Sequence, residues 1–189
     1  MEKTLEKIRD YADKAHGDQL RKYTPERYIV HPVRVMRLCQ TVDNDLPVLA
    51  CALLHDVLED TPTTEKGIYD FLKPLLGDVA AQKTVKLVIE LTDVYVKSKY
   101  PRLNRRERKA KEIQRMKNIS PEAQTVKYAD IIDNCLEIVT HDDSFAPVFL
   151  KECRQILLAL EKGDGSLRSA AIKIVESGLK RLKNKSSTN

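Results

Sequence analysis

Between His55 and Asp60 the chain places one imidazole and three carboxylates, in the run Leu53-Leu54-His55-Asp56-Val57-Leu58-Glu59-Asp60-Thr61. At the helical rotation of about 100° per residue, with His55 at zero, Asp56 falls at about 100°, Glu59 at about 40° and Asp60 at about 140°. The four polar groups then share one arc, and Leu53, Leu54, Val57 and Leu58 take the remainder. Two readings stand at this point. The arc is the solvated side of an amphipathic helix. Alternatively it enters the interior, because Leu49, Ala50, Cys51 and Ala52 are apolar on the same side. Carboxylates packed with a histidine repel one another unless a cation sits among them, so the second reading is a metal site.

A second polar strip lies downstream. Lys127, Asp130, Asn134, Glu137 and His141 recur at i, i+3, i+4 spacing in a segment otherwise made of Val126, Ala129, Ile131, Ile132, Cys135, Leu136 and Val139. Taken alone, this strip reads as a solvated face.

The elements that must position these groups are helices. Leu5, Ile8, Ala12, Ala15 and Gln19, with Tyr11 beside them, mark one stripe of a first helix. His16 lies on its inner side and reads as a satisfied core histidine. A second helix starts near His31-Pro32 and carries Val35, Leu38, Cys39 and Val42. A third is expected from about Asp45 to Asp60, stopped by Thr61-Pro62. Thr64 caps a short helix ending near Gly77, and Asp78 begins another through Leu91. Ser120-Pro121-Glu122 combines an N-cap with proline at the first helical position, and that helix should reach about His141. Helices over 144–161 and 166–183 follow, separated by Gly163-Asp164-Gly165. His141-Asp142 reads as a helix end followed by a cap. No alternating strand pattern and no internal repeat is present, so the fold class is all-α.

Composition narrows the function classes. The 189 residues are 42% apolar and 32% charged, enough for a core and too ordered in pattern for global disorder. The formal net charge of +5 is a mild bias toward anionic partners. The charged N-terminus lacks the apolar region of a signal peptide, and the longest apolar run, Val48 to Leu54, is too short for a membrane span. Cys39, Cys51, Cys135 and Cys153 are widely spaced in apolar surroundings. They read as reduced, buried thiols of a cytoplasmic protein.

The ordered set His31-Pro32, His55-Asp56 and Asp130 resembles the signature of HD-domain phosphohydrolases. The runs His16-x-x-Gln19-x-Arg21-Lys22, Tyr28-Ile29-Val30-His31-Pro32-x-x-Val35, Ala52 to Thr61 and Val126 to Asn134 are similar to the RelA/SpoT-type hydrolase domain over about residues 4–160. Within that family the small stand-alone alarmone hydrolases fit best. The resemblance implies an HD-domain helical bundle over 1–162, a C-terminal helical extension at 163–183 packed on it, and a disordered tail at 184–189. It also implies one divalent metal, with Mn²⁺ favoured by mixed imidazole and carboxylate ligation. His31, His55, Asp56 and Asp130 would be the ligands. Only one metal is expected, because no histidine lies between His55 and Asp130.

Glu59 and Asp60 correspond to the family's catalytic pair, with Glu59 positioning or deprotonating a water and Asp60 assisting. Arg21, Lys22 and Asn134 correspond to nucleotide contacts. The implied reaction removes the 3′-pyrophosphate of guanosine tetra- or pentaphosphate. Hydrolysis of another nucleotide (an adenosine alarmone, NADPH, a dNTP or a nucleoside monophosphate) and non-catalytic alarmone binding are the alternatives. Two segments depart from the family pattern. Arg27-Tyr28 stands where many members have Pro-Tyr, and the loop from Asp93 to Arg106 is longer and more basic than expected. The segment from Lys97 to Lys111 has Glu107 as its sole acid. It is a solvated face or presents cations to the substrate pyrophosphate, with Arg106 and Lys109 as candidates. Nucleic-acid binding is disfavoured, because Tyr95 and Tyr100 alone could serve as stacking platforms. Oligomeric state is not legible.

Overall fold

Leu46 to Leu54 is apolar at every position, and a helix that is apolar all round must be buried on every side. In the computed structural model, which describes residues 1–186, this segment is the central helix of the first of two compact units. That unit, Met1–Thr92, contains α1 (Glu2–His16), α2 (Val30–Gln40), α3 (Leu46–Leu54), α4 (Val57–Asp60), α5 (Glu65–Leu76) and α6 (Asp78–Leu91). Helix α3 packs against α1, α2 and α6. Each fully buried leucine or valine contributes about 1.5–3 kcal/mol relative to exposure.

The helix expected over 45–60 is two helices. Helix α3 ends at Leu54, and α4 restarts at Val57. The reason lies in His55, whose Nδ1 lies 2.9 Å from the Ala52 carbonyl oxygen, one of the carbonyls left open at a helix C-terminus. The new turn is built on Asp56, whose carbonyl accepts from the Glu59 and Asp60 amides.

Gly17 ends α1 with φ +58°, in the left-handed region that glycine enters at least cost. A hairpin loop follows, tied by Arg21 N–H to Glu26 O and Tyr28 N–H to Gln19 O, both at 2.9 Å. Gln19 therefore belongs to this loop and not to the α1 stripe. Arg27 fastens the loop to the end of α1, donating to Asp13 Oδ1 and to Gly17 O, each at 3.1 Å.

The second unit begins at Asp93 and contains α7 (Arg105–Met116), α8 (Pro121–His141), α9 (Ala146–Ala159) and α10 (Gly165–Ser186). Helix α7 occupies much of the basic segment. Its start is signalled by a capping box, Asn104-x-x-Glu107, in which each side chain accepts from the other residue's amide. Helix α8 buries most of its surface, and α10 packs on α8 and α9. Helix α10 continues through Ser186, so the expected tail is helical at 184–186, and residues 187–189 lie outside the described residues. Among the described residues there is no strand, only an isolated bridge between Leu20 and Arg27. All four cysteines are free and buried.

The α9–α10 turn is held to α8 by side chains of α8 itself. Tyr128 Oη donates to Leu160 O at 2.9 Å, Gln124 Oε1 accepts from Lys162 N–H at 2.8 Å, and Thr125 Oγ1 accepts from Asp164 N–H at 2.9 Å. The backbones approach so closely that a Cβ on Gly163 would lie 2.6 Å from Tyr128 Cε2 and 2.8 Å from Thr125 N. Gly165, two residues on, has nothing within 4 Å of its Cβ position. Gly163→Ala should therefore cost about 1–3 kcal/mol in urea unfolding, and Gly165→Ala should stay within about 0.5 kcal/mol of the parent.

Asp164 caps α10, its Oδ1 accepting from the Ser166 hydroxyl and the Ser166 and Leu167 amides. The hydroxyl, and then the amides, hold its carboxyl below the ordinary value. Its stabilisation should be complete above the unfolded carboxyl value of about 3.9 and be lost as pH falls below it. Asp164→Ala should cost about 1 kcal/mol at neutral pH, and the gap to the parent should close on acidification.

Candidate functional site

His31 enters on the first turn of α2 behind Tyr28-Ile29, and His55-Asp56 forms the joint between α3 and α4. His31 and His55 are 1% and 5% exposed, and Asp56 is half-buried. One ligand atom from each of the three lies within 4.8 Å of the others. His55 Nε2 stands 3.1 Å from Asp56 Oδ2, and His31 Nε2 stands 3.7 Å from the same oxygen.

The Ala52 carbonyl settles what this cluster needs. A carbonyl only accepts, so Nδ1 of His55 donates to it. In the neutral ring Nε2 is then a lone pair, directed at a carboxylate oxygen. Two electron-pair donors face each other across 3.1 Å, with a second imidazole nitrogen close by. Positive charge between them turns repulsion into binding. A histidine whose other nitrogen donates to a backbone carbonyl is also the usual arrangement of a metal-ligating histidine. The three side chains fit a divalent cation.

Tyr28 orients the carboxylate from outside, its hydroxyl donating to Asp56 Oδ2 at 2.5 Å. Its ring packs against His16 at 4.5 Å and edge-on to His31 at 5.9 Å between centroids. The Arg21 guanidinium carbon lies 5.5 Å from the centroid of the same ring, and Arg21 is buried. Lys22 is exposed and turns to Tyr23, with Nζ 2.8 Å from the hydroxyl. Glu59 and Asp60 are exposed on α4, one turn after Asp56, and Gln19 Nε2 donates to Asp60 Oδ2 at 3.2 Å. His16 departs from expectation. Its Nδ1 meets Gln19 Oε1 at 2.9 Å, but its buried Nε2 has no hydrogen-bond partner among the described residues.

In the second unit, Asp130 is buried on α8. Lys127 donates to its Oδ2 at 2.8 Å and Asn134 Nδ2 to its Oδ1 at 2.5 Å. Two cations of the basic segment are paired with acids. Lys109 pairs with Asp93 at 2.9 Å, and Arg105 forks onto both Glu152 oxygens at 2.8 and 2.7 Å. Arg106 is exposed. The residue missed in the sequence is Glu112, 3% exposed, which accepts from the Val94 and Tyr95 amides at 3.0 Å and from Arg115 at 2.6 Å. It fixes the start of the long loop. Its one local signal was Arg115 three residues on.

The HD domain family matches residues 28–135, and the chain belongs to that family. A human relative named guanosine-3′,5′-bis(diphosphate) 3′-pyrophosphohydrolase MESH1 is 35% identical over 133 residues, 68% of this chain and 66% of its own length. A protein of Aquifex aeolicus named guanosine-3′,5′-bis(diphosphate) 3′-pyrophosphohydrolase is 36% identical over 94 residues, half of this chain but only 13% of that protein. A solved structure described as a metazoan ortholog of SpoT that hydrolyzes ppGpp superposes with a TM-score of 0.74 at 24% identity, over 93% of this chain and 96% of its own. At that identity the likeness concerns the fold. Among the described residues no helix is long and apolar enough to cross a membrane.

Titration of metal-stripped protein with Mn²⁺ in a calorimeter should show His55→Ala and His31→Ala losing more than the roughly 10–100-fold typical of outer partners. Tyr28→Phe, which removes only the hydrogen bond to Asp56, should fall within that range.

Proposed function

We propose that this chain is a metal-dependent hydrolase that removes the 3′-pyrophosphate of guanosine 3′,5′-bispyrophosphate, releasing pyrophosphate and GDP, or GTP from the pentaphosphate. The observation that carries the reading is the convergence of His31, His55 and Asp56, with Glu59 and Asp60 on the next turn. The relatives' names give the substrate class. The family pattern adds Asp130 of α8 as a fourth ligand. We favour Mn²⁺, which suits two imidazoles with carboxylates. When bound, such an ion acidifies water and stabilises charge on phosphate oxygens.

The chain's own residues do the rest. Glu59 is exposed on the turn that follows Asp56 and takes the proton from the attacking water. The water oxygen bonds to the phosphorus next to the ribose, the bond to the ribose 3′ oxygen breaks, and that oxygen takes up a proton. Asp60 orients the water. Arg21, Lys22 and Asn134 contact the nucleotide. Of the two basic-segment candidates for the pyrophosphate, Arg106 is the stronger, since Lys109 already neutralises Asp93. Four free, buried thiols support a reducing, cytoplasmic setting.

The test is release of pyrophosphate from guanosine tetraphosphate by metal-stripped protein with and without Mn²⁺. Release should require the ion. Glu59→Ala should keep the metal and lose roughly 10²–10⁴-fold in kcat. Undiminished activity of that variant refutes the role given to Glu59, and absence of release from metal-loaded parent protein refutes the substrate.

A further inference from the structure

Asp60 is exposed, on the last residue of a one-turn helix. A carboxylate in that position samples several rotamers unless something holds it. What reaches it is Gln19, 41 residues earlier, on the hairpin loop. Gln19 is itself fixed at both ends of its backbone unit, its amide donating to His16 O at 3.1 Å and its carbonyl accepting from Tyr28 N–H at 2.9 Å.

An amide side chain can present either oxygen or nitrogen to a partner, and here the partner decides. Asp60 only accepts, so Gln19 turns Nε2 toward it, at 3.2 Å. That leaves Oε1 facing His16 Nδ1 at 2.9 Å, and an oxygen there requires the proton to sit on Nδ1. The opposite tautomer would put a lone pair against Oε1, or flip the amide and set its oxygen against the Asp60 carboxylate. The chosen tautomer leaves Nε2 of His16 buried without a hydrogen-bond partner among the described residues, a cost of about 1–3 kcal/mol. Stability alone would favour a hydrocarbon at that position.

We infer that Gln19 is a positioning residue for Asp60, and that buried His16, held as its Nδ1–H tautomer, locks the Gln19 amide in the orientation that does so. All protons in the chain point outward, from His16 to Gln19 and from Gln19 to Asp60. This deepens the role given above to Asp60 and rests on it. Gln19 acts through Asp60 and not on substrate.

The experiment combines kinetics with a measurement that needs no turnover. In Mn²⁺-loaded protein acting on guanosine tetraphosphate, Gln19→Leu should lower kcat by roughly 10–100-fold, the penalty of a slightly misplaced catalytic group, with KM and Mn²⁺ affinity close to the parent's and a melting temperature lower by the few degrees that an unpaired His16 Nδ1–H costs. His16→Phe, which keeps a ring against Tyr28 but removes the Nδ1 proton, should lower kcat in the same sense. In an Asp60→Ala background, Gln19→Leu should have no further effect. Independently, long-range ¹⁵N–¹H correlation spectra of the substrate-free protein should show His16 protonated on Nδ1, and a crystal structure of Gln19→Leu should show the Asp60 carboxylate displaced from its parent position or spread over rotamers.

A rise in KM with kcat unchanged would make Gln19 a substrate contact and overturn the inference. So would an equal loss in the Asp60→Ala background, an Nε2–H tautomer at His16, or an unmoved Asp60 in Gln19→Leu. Absence of turnover by the parent protein overturns the proposed reaction instead, and the tautomer and the Asp60 rotamer still decide the hydrogen-bond order.

Discussion

The approach of His55 Nε2 to a carboxylate oxygen of Asp56 at 3.1 Å is the constraint on which the rest of the site depends. Neither group can avoid the other. His55 is tethered through Nδ1 to the end of α3, and α3 is immobilised by burial on all sides. Asp56 begins the next turn and is held from outside by Tyr28. His55 and Asp56 stand at the joint between α3 and α4 with right-handed helical backbone angles, and their side chains converge with His31.

One loop serves both parts of the site. Gly17 turns the chain out of α1, Arg27 ties it back to Asp13 and Gly17, and the short pairing between Gln19 and Tyr28 sets the spacing of two polar side chains. From that frame Tyr28 reaches Asp56 and Gln19 reaches Asp60. The metal cluster and the carboxylates one turn on are thus oriented by a common element outside the helices that carry them. Arg27 is accounted for by its hydrogen bonds to the end of α1 and needs no role toward a ligand.

In the second unit buried polar groups do comparable work. Glu112 sits inside because two loop amides and an arginine satisfy it, and it sets where the basic loop begins. Gln124, Thr125 and Tyr128 hold the α9–α10 turn through its backbone, close enough to demand glycine at 163. These bonds specify one arrangement of helices that apolar packing by itself would leave degenerate. Lys109 is paired with Asp93, Arg105 with Glu152, and Arg108 donates to the Leu103 carbonyl, while Arg106 is the exposed cation of the pair singled out in the sequence.

The sequence alone determined whatever depends on neighbours within a turn or two. Helical periodicity, the caps at Thr64 and Ser120, the stop at Gly77 and the all-α class were legible because each arises from contacts a few residues apart. The capping box at Asn104 is equally local, but its signal was passed over because the run of cations around it read as a charged segment. The ordered His and Asp motifs pointed to a metal. What only the tertiary structure decided lies at long separations: Tyr28 with Asp56 across 28 residues, Gln19 with Asp60 across 41, Arg105 with Glu152 across 47. The break at His55 was also invisible, since the local pattern is that of an unbroken helix. It forms because α3 is buried and the His55 ring, with no water to reach, turns to the Ala52 carbonyl. Spacing can nominate groups for chemistry, but which lone pair faces which proton is set only when separate elements pack and exclude solvent.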